Sequence, residues 1–380
     1  MSSPERQERQ PALEQVDEVS PGVLRIQLPI HLPGLGHVNC YVLEDAEGVV
    51  VIDPGLPDPE THRVLTERLG EVGLRVEDIT RVVVTHSHPD HFGGAGRLRL
   101  TNDAQIIAVR HFKTIFDPRD DDSVELLDAK APKVDDAGFD PADFANYLLG
   151  DGEIPDIPAR VAPWGGEIPF PGRNEIAGMR AWDDQTKQGF LTPQPTRRLD
   201  DAEVISLGRR DWIAVYTPGH TGDHLCLFQP DDGILLAGDH VLPTITPHIS
   251  GMTSSDDSLA DYIEALDKVC GLPGVRSVLP AHGLVFDDLC DRVEAIKRHH
   301  HERLEALVLA AHGDGELDVV EFSHRLFQPR SWGSMAESET YAHLEHLRRL
   351  GVAESRREGV SLRYRITGEV PPFELTGATS

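Results

Sequence analysis

The sequence predicts an α/β protein in two parts: a layered strand-and-helix domain carrying one long insertion, then a small module of helices and a hairpin. Three observations predict it. Short apolar, strand-like runs recur on both sides of the insertion within residues 17–285, and several end in turns bearing His or Asp. Between Phe112 and Arg209 periodicity of either kind fades, while Pro, Gly and acidic residues accumulate. After residue 285 the pattern turns helical. A chain of 380 residues is long enough for two ordinary domains. Its 39% hydrophobic and 26% charged residues are the balance of a soluble globular protein.

Residues 1–16 are polar and lack the basic start and apolar stretch of a secretion signal. They read as a disordered tail on a cytoplasmic protein. Gly22–Leu28 alternates, His37–Leu43 is rich in β-formers, and Gly48–Asp53 ends at Pro54-Gly55, which predicts strands joined by turns. Asp58 to Gly70 is predicted helical, with Val64, Leu65 and Leu69 on one face and Gly70 as a stop signal. Arg81–Thr85 and Ala104–Val109 are continuously apolar, the pattern of strands buried on both faces.

The insertion at 112–209 carries Asp120-Asp121-Asp122 and the aromatic residues Phe139, Tyr147, Trp164 and Trp182. A patternless stretch of that length reads as a lid or binding loop, or as a surface embellishment. Strands resume at Trp212–Tyr216, His224–Phe228, Gly233–Ala237 and Arg276–Leu279, with a helix at Ser258–Val269. Residues 286–380 hold helical patterns at Asp287–Ala311, Leu317–Phe327 and Glu337–Leu350, then two β-like runs around Glu358-Gly359. Three helices and a hairpin suggest a small winged-helix-like module.

Charge narrows the partners. There are 64 acidic and 36 basic residues, a formal −28. Nucleic-acid binding draws most of its affinity from Lys and Arg contacts to phosphate, so nucleic acid is not the expected partner. No apolar run is long enough to cross a bilayer, and no membrane role is expected. Cys40, Cys226, Cys270 and Cys290 show no CxxC or paired spacing, which suggests reduced, mostly buried thiols.

The chemistry concentrates in His86-Ser87-His88-Pro89-Asp90-His91. A tight turn after a strand lets these side chains converge, and imidazole nitrogen and carboxylate oxygen are ligands that Zn2+ accepts. Three more turns repeat the arrangement: His220 in Thr217-Pro-Gly-His-Thr-Gly222, Asp239 in Leu236-Ala-Gly-Asp-His240, and His282 in Pro280-Ala-His-Gly283. Each alone is an ordinary turn residue. Together they place ligand types at four strand ends, where layered α/β folds form their sites. His240, beside Asp239, is expected behind the ligands or in the pocket. His299-His300-His301 sits on the long helix, where successive residues point to different faces, so no third metal site is expected there.

The order HxHxDH, PGHTG, GD and a late AHG resembles the metallo-β-lactamase superfamily, and more narrowly the branch of glyoxalase II and similar thioester, ester and lactone hydrolases. The resemblance covers roughly Val23 to Leu284 apart from the insertion. It implies an αββα sandwich with two divalent metal ions at one edge of the sheets, Zn2+ foremost, with Fe or Mn as alternatives. By resemblance, His86, His88 and His220 would hold one metal, Asp90, His91 and His282 the second, and Asp239 would bridge them. Asp53 matches the family's buried structural aspartate and would stand behind the ligands. The implied nucleophile is a hydroxide shared by the metals, oriented by Asp90 as the catalytic carboxylate.

Within that resemblance, His88 and Asp90 argue against the oxygen-reducing diiron branch, and Asp239 against the true β-lactamases. The basic and Tyr pattern that binds glutathione in glyoxalase II is not matched at the C-terminal end. The expectation is a binuclear metal-dependent hydrolase of a small-molecule ester, thioester or lactone. An iron-dependent persulfide-type dioxygenase and a zinc phosphodiesterase or nuclease are the alternatives. The insertion and the C-terminal module would wall the substrate pocket, or the module would form a homodimer interface.

Overall fold

The computed structural model describes residues 6–32, 34–114, 160–168, 194–311 and 315–373. Asp120-Asp121-Asp122, Phe139, Tyr147 and Trp182 of the expected insertion lie outside them. The chain divides into two compact units. The first takes Met1–Phe116, Thr186–Pro247 and Tyr262–Ile296; the second takes His248–Asp261 and Lys297–Ser380 with the short segment 160–168.

The first unit begins with β1 (Asp17–Ser20), β2 (Val23–Leu32), β3 (Leu35–Asp45) and β4 (Gly48–Ile52), then α1 (Pro59–Glu71) and β5 (Ile79–Val83). Asp58 caps α1 by accepting the Thr61 N–H, and Pro59 opens the helix where its missing N–H costs nothing. A four-residue turn of helix, α2 (Pro89–Phe92), leads to α3 (Ala95–Asn102) and β6 (Gln105–Val109). The hairpin strands β7 (Arg160–Val161) and β8 (Glu167–Ile168) belong to the second unit. The first unit continues with β9 (Arg197–Leu199), β10 (Val204–Leu207), β11 (Arg210–Tyr216), β12 (Leu225–Gln229) and β13 (Ile234–Gly238). Helix α4 (Ser258–Cys270), whose first four residues belong to the second unit, and β14 (Ser277–Pro280) follow.

These strands make two sheets, ordered β1-β2-β3-β4-β5-β6-β9 and β10-β11-β12-β13-β14. The first is antiparallel as far as β4 and parallel from β4 to β9. In the second, β11 and β13 each run antiparallel to β12, and β13 runs parallel to β14. The C-terminal ends of β11, β13 and β14 therefore lie at one edge. One core joins the sheets, with Val51, Val82 and Ile107 from the first and Trp212, Leu227 and Leu236 from the second. Between them in sequence, Val215, Cys226, Phe228, Leu235 and Ala237 are buried too. A sheet covered on both faces explains why these strands read as unbroken apolar runs.

Three expectations change here. Strands β9 and β10 fall inside the expected insertion, so the sheets resume before Arg209; β9 is three residues long with two exposed, too little to leave a pattern. Residues 6–16, read as a disordered tail, are anchored: the buried Glu8 carboxylate accepts the Thr244 and Ile245 N–H groups at 2.8 and 3.0 Å, and Gln7 accepts that of Leu284. The four cysteines are not all reduced. Cys270 and Cys290 form a disulfide, while Cys40 and Cys226 are free and buried.

The second unit holds the greater part of α5 (Leu289–Ala310), then β15 (Leu317–Asp318), α6 (Val319–Leu326), α7 (Ser334–Arg349), β16 (Ala353–Glu358) and β17 (Ser361–Ile366). The three strands form an antiparallel sheet, β15-β17-β16, with Gly359 left-handed in the tight turn. Asp318 and Glu321 make a reciprocal capping box on α6. Phe322, Leu344, Leu347 and Tyr364 are buried within it. Trp164, the one insertion aromatic of those named that falls in the described residues, packs on Tyr341 and donates its indole N–H to Glu337 at 3.1 Å. No helix among the described residues is long and apolar enough to cross a membrane.

Candidate metal centre

Strand β4 delivers Asp53 in a left-handed conformation, φ 55°. Asp53 then grips the loop after β5: Oδ1 accepts the Thr85 N–H at 2.8 Å, and Oδ2 accepts the Thr85 hydroxyl at 2.7 Å. From Thr85 the chain runs through His86 and His88 into α2, where Pro89 sets the first helical turn and brings Asp90 and His91 inward. His91 donates from Nδ1 to Asp53 Oδ2 at 2.8 Å, which turns its Nε2 toward Asp90 and Asp239.

The other residues arrive from the second sheet. His220 follows β11 and Gly219, whose φ of 136° and contact with Tyr262 leave no room for a side chain. Asp239 follows β13, and His282 follows β14, donating from Nδ1 to the His37 carbonyl at 2.6 Å. The Ala281 N–H bonds the Gly238 carbonyl at 2.9 Å and ties the two strand ends together.

Two groups result that could each hold a cation: His86, His88, His220 and Asp239; and Asp90, His91 and His282. Within each group the ligand atoms lie within 4.8 Å of one another. All seven side chains named from the sequence are thus brought together. His86 Nε2 and His220 Nε2 lie 2.9 and 3.1 Å from His88 Nδ1. Asp239 faces both groups: Oδ2 is 3.6 Å from Nε2 of both His220 and His91, and Oδ1 is 3.3 Å from His282 Nε2.

Three buried atoms of this space, His91 Nε2, His282 Nε2 and Asp239 Oδ1, have no partner of hydrogen-bond geometry among the described residues. Buried polar atoms are rarely left so, and a nitrogen-rich set with two carboxylates fits a divalent cation of the zinc type. The electrostatics agree. Burial, with His91 and His88 beside it, drives His86 well below the ordinary imidazole range. Burial pulls His91 the same way, but Asp90, Asp239 and Asp53 outweigh it and hold His91 well above that range. Against its own burial, Asp239 is held well below the carboxylate range by His282 and His91. The carboxylates thus offset positive charge on His91, while His86 is held neutral.

Residues 33–282 match the family described as the Metallo-beta-lactamase superfamily. The chain belongs to the metallo-beta-lactamase superfamily. It is similar to the lactamase-like protein vrtG of Penicillium aethiopicum, 33% identical over 303 residues, covering 79% of this chain and 69% of that protein. It is also similar to the atrochrysone carboxyl ACP thioesterase of Aspergillus fumigatus, 32% identical over 120 residues, 31% of this chain and 36% of that one. The fungal lactamase-like relatives named nscB from Neosartorya fischeri and Aspergillus fumigatus are matched over 31% of their own length. Among solved structures, a metallo-beta-lactamase family protein from Thermus thermophilus superposes with a TM-score of 0.70 at 25% identity, covering 92% of this chain and all of that one.

In this superfamily member, several residues behind the candidate metal centre escaped the sequence reading. Asn39 donates to the Pro280 and Gly283 carbonyls, and Tyr41 donates to that of Pro280, fixing the turn that carries His282. His37 accepts the Gly283 N–H at 3.0 Å. The alternation His37, Asn39, Tyr41 along one face of β3 was the available signal. Asp223 accepts from Ser87 and from the Lys113 N–H, pinning the loop between His86 and His88. His240, which the sequence reading did name, is buried, edge-on to Tyr262 with ring centroids 5.2 Å apart. His224 is buried too, its ring centroid 5.1 Å from that of His86.

Proposed function

We propose that this superfamily member is a binuclear metal-dependent hydrolase of a small-molecule ester, thioester or lactone. One observation carries the reading: the Asp239 carboxylate stands between a three-histidine group and an Asp90–His91–His282 group, with an oxygen toward each. His86, His88 and His220 would hold one cation, Asp90, His91 and His282 the other, and Asp239 would be shared. When bound, two such cations supply a hydroxide nucleophile at neutral pH and polarise the scissile carbonyl.

The chain's own residues do the rest. Asp53 fixes the His91 ring and its tautomer, and the His37 carbonyl does the same for His282. Asp90, whose Oδ2 lies 3.5 Å from His282 Nε2, would orient the attacking hydroxide. Burial of all these side chains except His88 excludes competing solvent. The partial similarity to a protein named as an acyl carrier protein thioesterase supports a thioester among the candidate substrates. The −28 formal charge supports a small molecule over nucleic acid. The order of helices and hairpin in the second unit supports the winged-helix-like reading of that module.

The test is a screen of thioesters, lactones and phosphodiesters with zinc-loaded protein, beside Asp90→Ala. Hydrolysis of an acyl substrate, reduced at least about 100-fold in Asp90→Ala, is the expected result. Full activity in the variant, turnover of phosphodiesters alone, or a single iron with oxygen uptake would overturn the reading.

A further inference from the structure

We infer that His224 is a positioning residue for Asp239, the terminal link of a closed hydrogen-bond ring that sets how this carboxylate leaves β13. The inference rests on the reading of Asp239 as the shared ligand. His224 is fully buried immediately before β12 and belongs to neither ligand group. Its Nε2 accepts the backbone N–H of Asp239 at 3.0 Å. An imidazole that accepts at Nε2 carries its proton on Nδ1, so Nδ1 donates to Thr217 Oγ1, 2.8 Å away. The Thr217 hydroxyl then donates to Cys226 Sγ at 3.4 Å, and the Cys226 thiol donates to the Ala237 carbonyl at 3.4 Å. Burial pushes that thiol up to about 12, so it keeps its proton.

The ring starts at the N–H of Asp239 and closes on the carbonyl of Ala237, bracketing Gly238. That glycine is left-handed, φ 52°, at the point where the β13–β14 register shifts. A Cβ there would sit 2.6 Å from His224 Nε2. The left-handed kink turns the chain out of the strand, and the His224 ring occupies the space that the missing side chain leaves. Asp239 is thereby held by its backbone, leaving both carboxylate oxygens for the two ligand groups. Buried backbone N–H groups need a partner, and among the described residues the His224 ring supplies it here.

The test compares His224→Leu, His224→Gln, His224→Asn and Thr217→Val in the full chain. Zinc affinity is read by chelator competition, and the cobalt-substituted forms by their visible spectrum. Gln places an acceptor where Nε2 stood, whereas Asn reaches only the Nδ1 position. The expected result is that Leu and Asn lose about 10–100-fold in affinity and change the cobalt spectrum, while Gln stays within about threefold. Thr217→Val, a smaller perturbation of the fold, falls between. The inference is overturned if His224→Leu binds as tightly as the native chain, or if Gln loses as much as Leu. Failure of the native chain to bind any metal would instead sink the reading of Asp239 itself.

Discussion

Asp53 Oδ2 accepts the His91 Nδ1–H at 2.8 Å while Oδ1 of the same carboxylate accepts the Thr85 N–H at 2.8 Å. One side chain thus locks both the loop that presents His86 and His88 and the ring of His91. Partners of this kind set ligand orientation and basicity. Asp53→Ala is expected to weaken zinc binding about 10–100-fold, measured by competition with a chromogenic chelator. Asp53→Asn, which tolerates the left-handed backbone and keeps one acceptor oxygen, is expected to lose less.

Gly219 offers a steric test of the same centre. A Cβ there would lie 2.3 Å from the Tyr262 Cβ and 2.5 Å from its Cα, backbone that cannot swing aside. Gly219→Ala is expected to destabilise the protein by about 1–3 kcal/mol, read by urea unfolding, and to lower metal affinity by displacing His220. Gly222→Ala, three residues on with nothing within 4 Å of its Cβ, is the control and is expected to be neutral in both measurements.

The Cys270–Cys290 disulfide joins the end of α4 to the start of α5 and closes a loop containing β14 and His282, with a sequence separation of 20. Cross-linking a loop of that length restricts the unfolded chain by about 3 kcal/mol. The Cys270→Ser, Cys290→Ser double variant is expected to unfold at lower urea with that loss. An unchanged midpoint would show that the bond carries no stability.

His343 gives a pH dependence within the second unit. It is fully buried, its Nδ1 donates to the Glu339 carbonyl at 2.7 Å, and its Nε2 lies 3.0 Å from His300 Nδ1. Burial lowers it from 6.5 to about 4, against the raising influence of Glu339. The unfolded chain takes up this proton at higher pH than the folded one. Stability is therefore full above about pH 6.5 and falls as pH drops toward 4, by on the order of 3 kcal/mol. Urea unfolding at pH 7 and pH 5 is expected to show a smaller difference in His343→Leu than in the native chain. Some slope persists in the variant, because His62 is also lowered to about 4 by burial.

The segment His86 to His91 was legible because its chemistry is contiguous in sequence and follows a strand apolar enough to be buried. His220, Asp239 and His282 became legible only jointly, since β11, β13 and β14 run the same way and each carries one ligand type past its end. His224 was not legible. It lies immediately before an apolar strand, and its role depends on a backbone N–H supplied from the neighbouring strand. The anchoring of residues 6–16 was hidden for a similar reason: Glu8 meets Thr244 across 236 positions, and nothing local distinguishes it from a solvated glutamate. Cys270 and Cys290 sit at the ends of two helices, so their pairing follows from how α4 and α5 meet around β14 rather than from any motif.

The central claim is that seven side chains form two cation sites sharing Asp239. Metal analysis of the purified native chain, His220→Ala and His282→Ala after zinc loading and desalting tests it most directly. The account predicts about two zinc ions per chain in the native protein and about one in each variant. A native chain that retains no metal, or variants that both retain the full native complement, would contradict it.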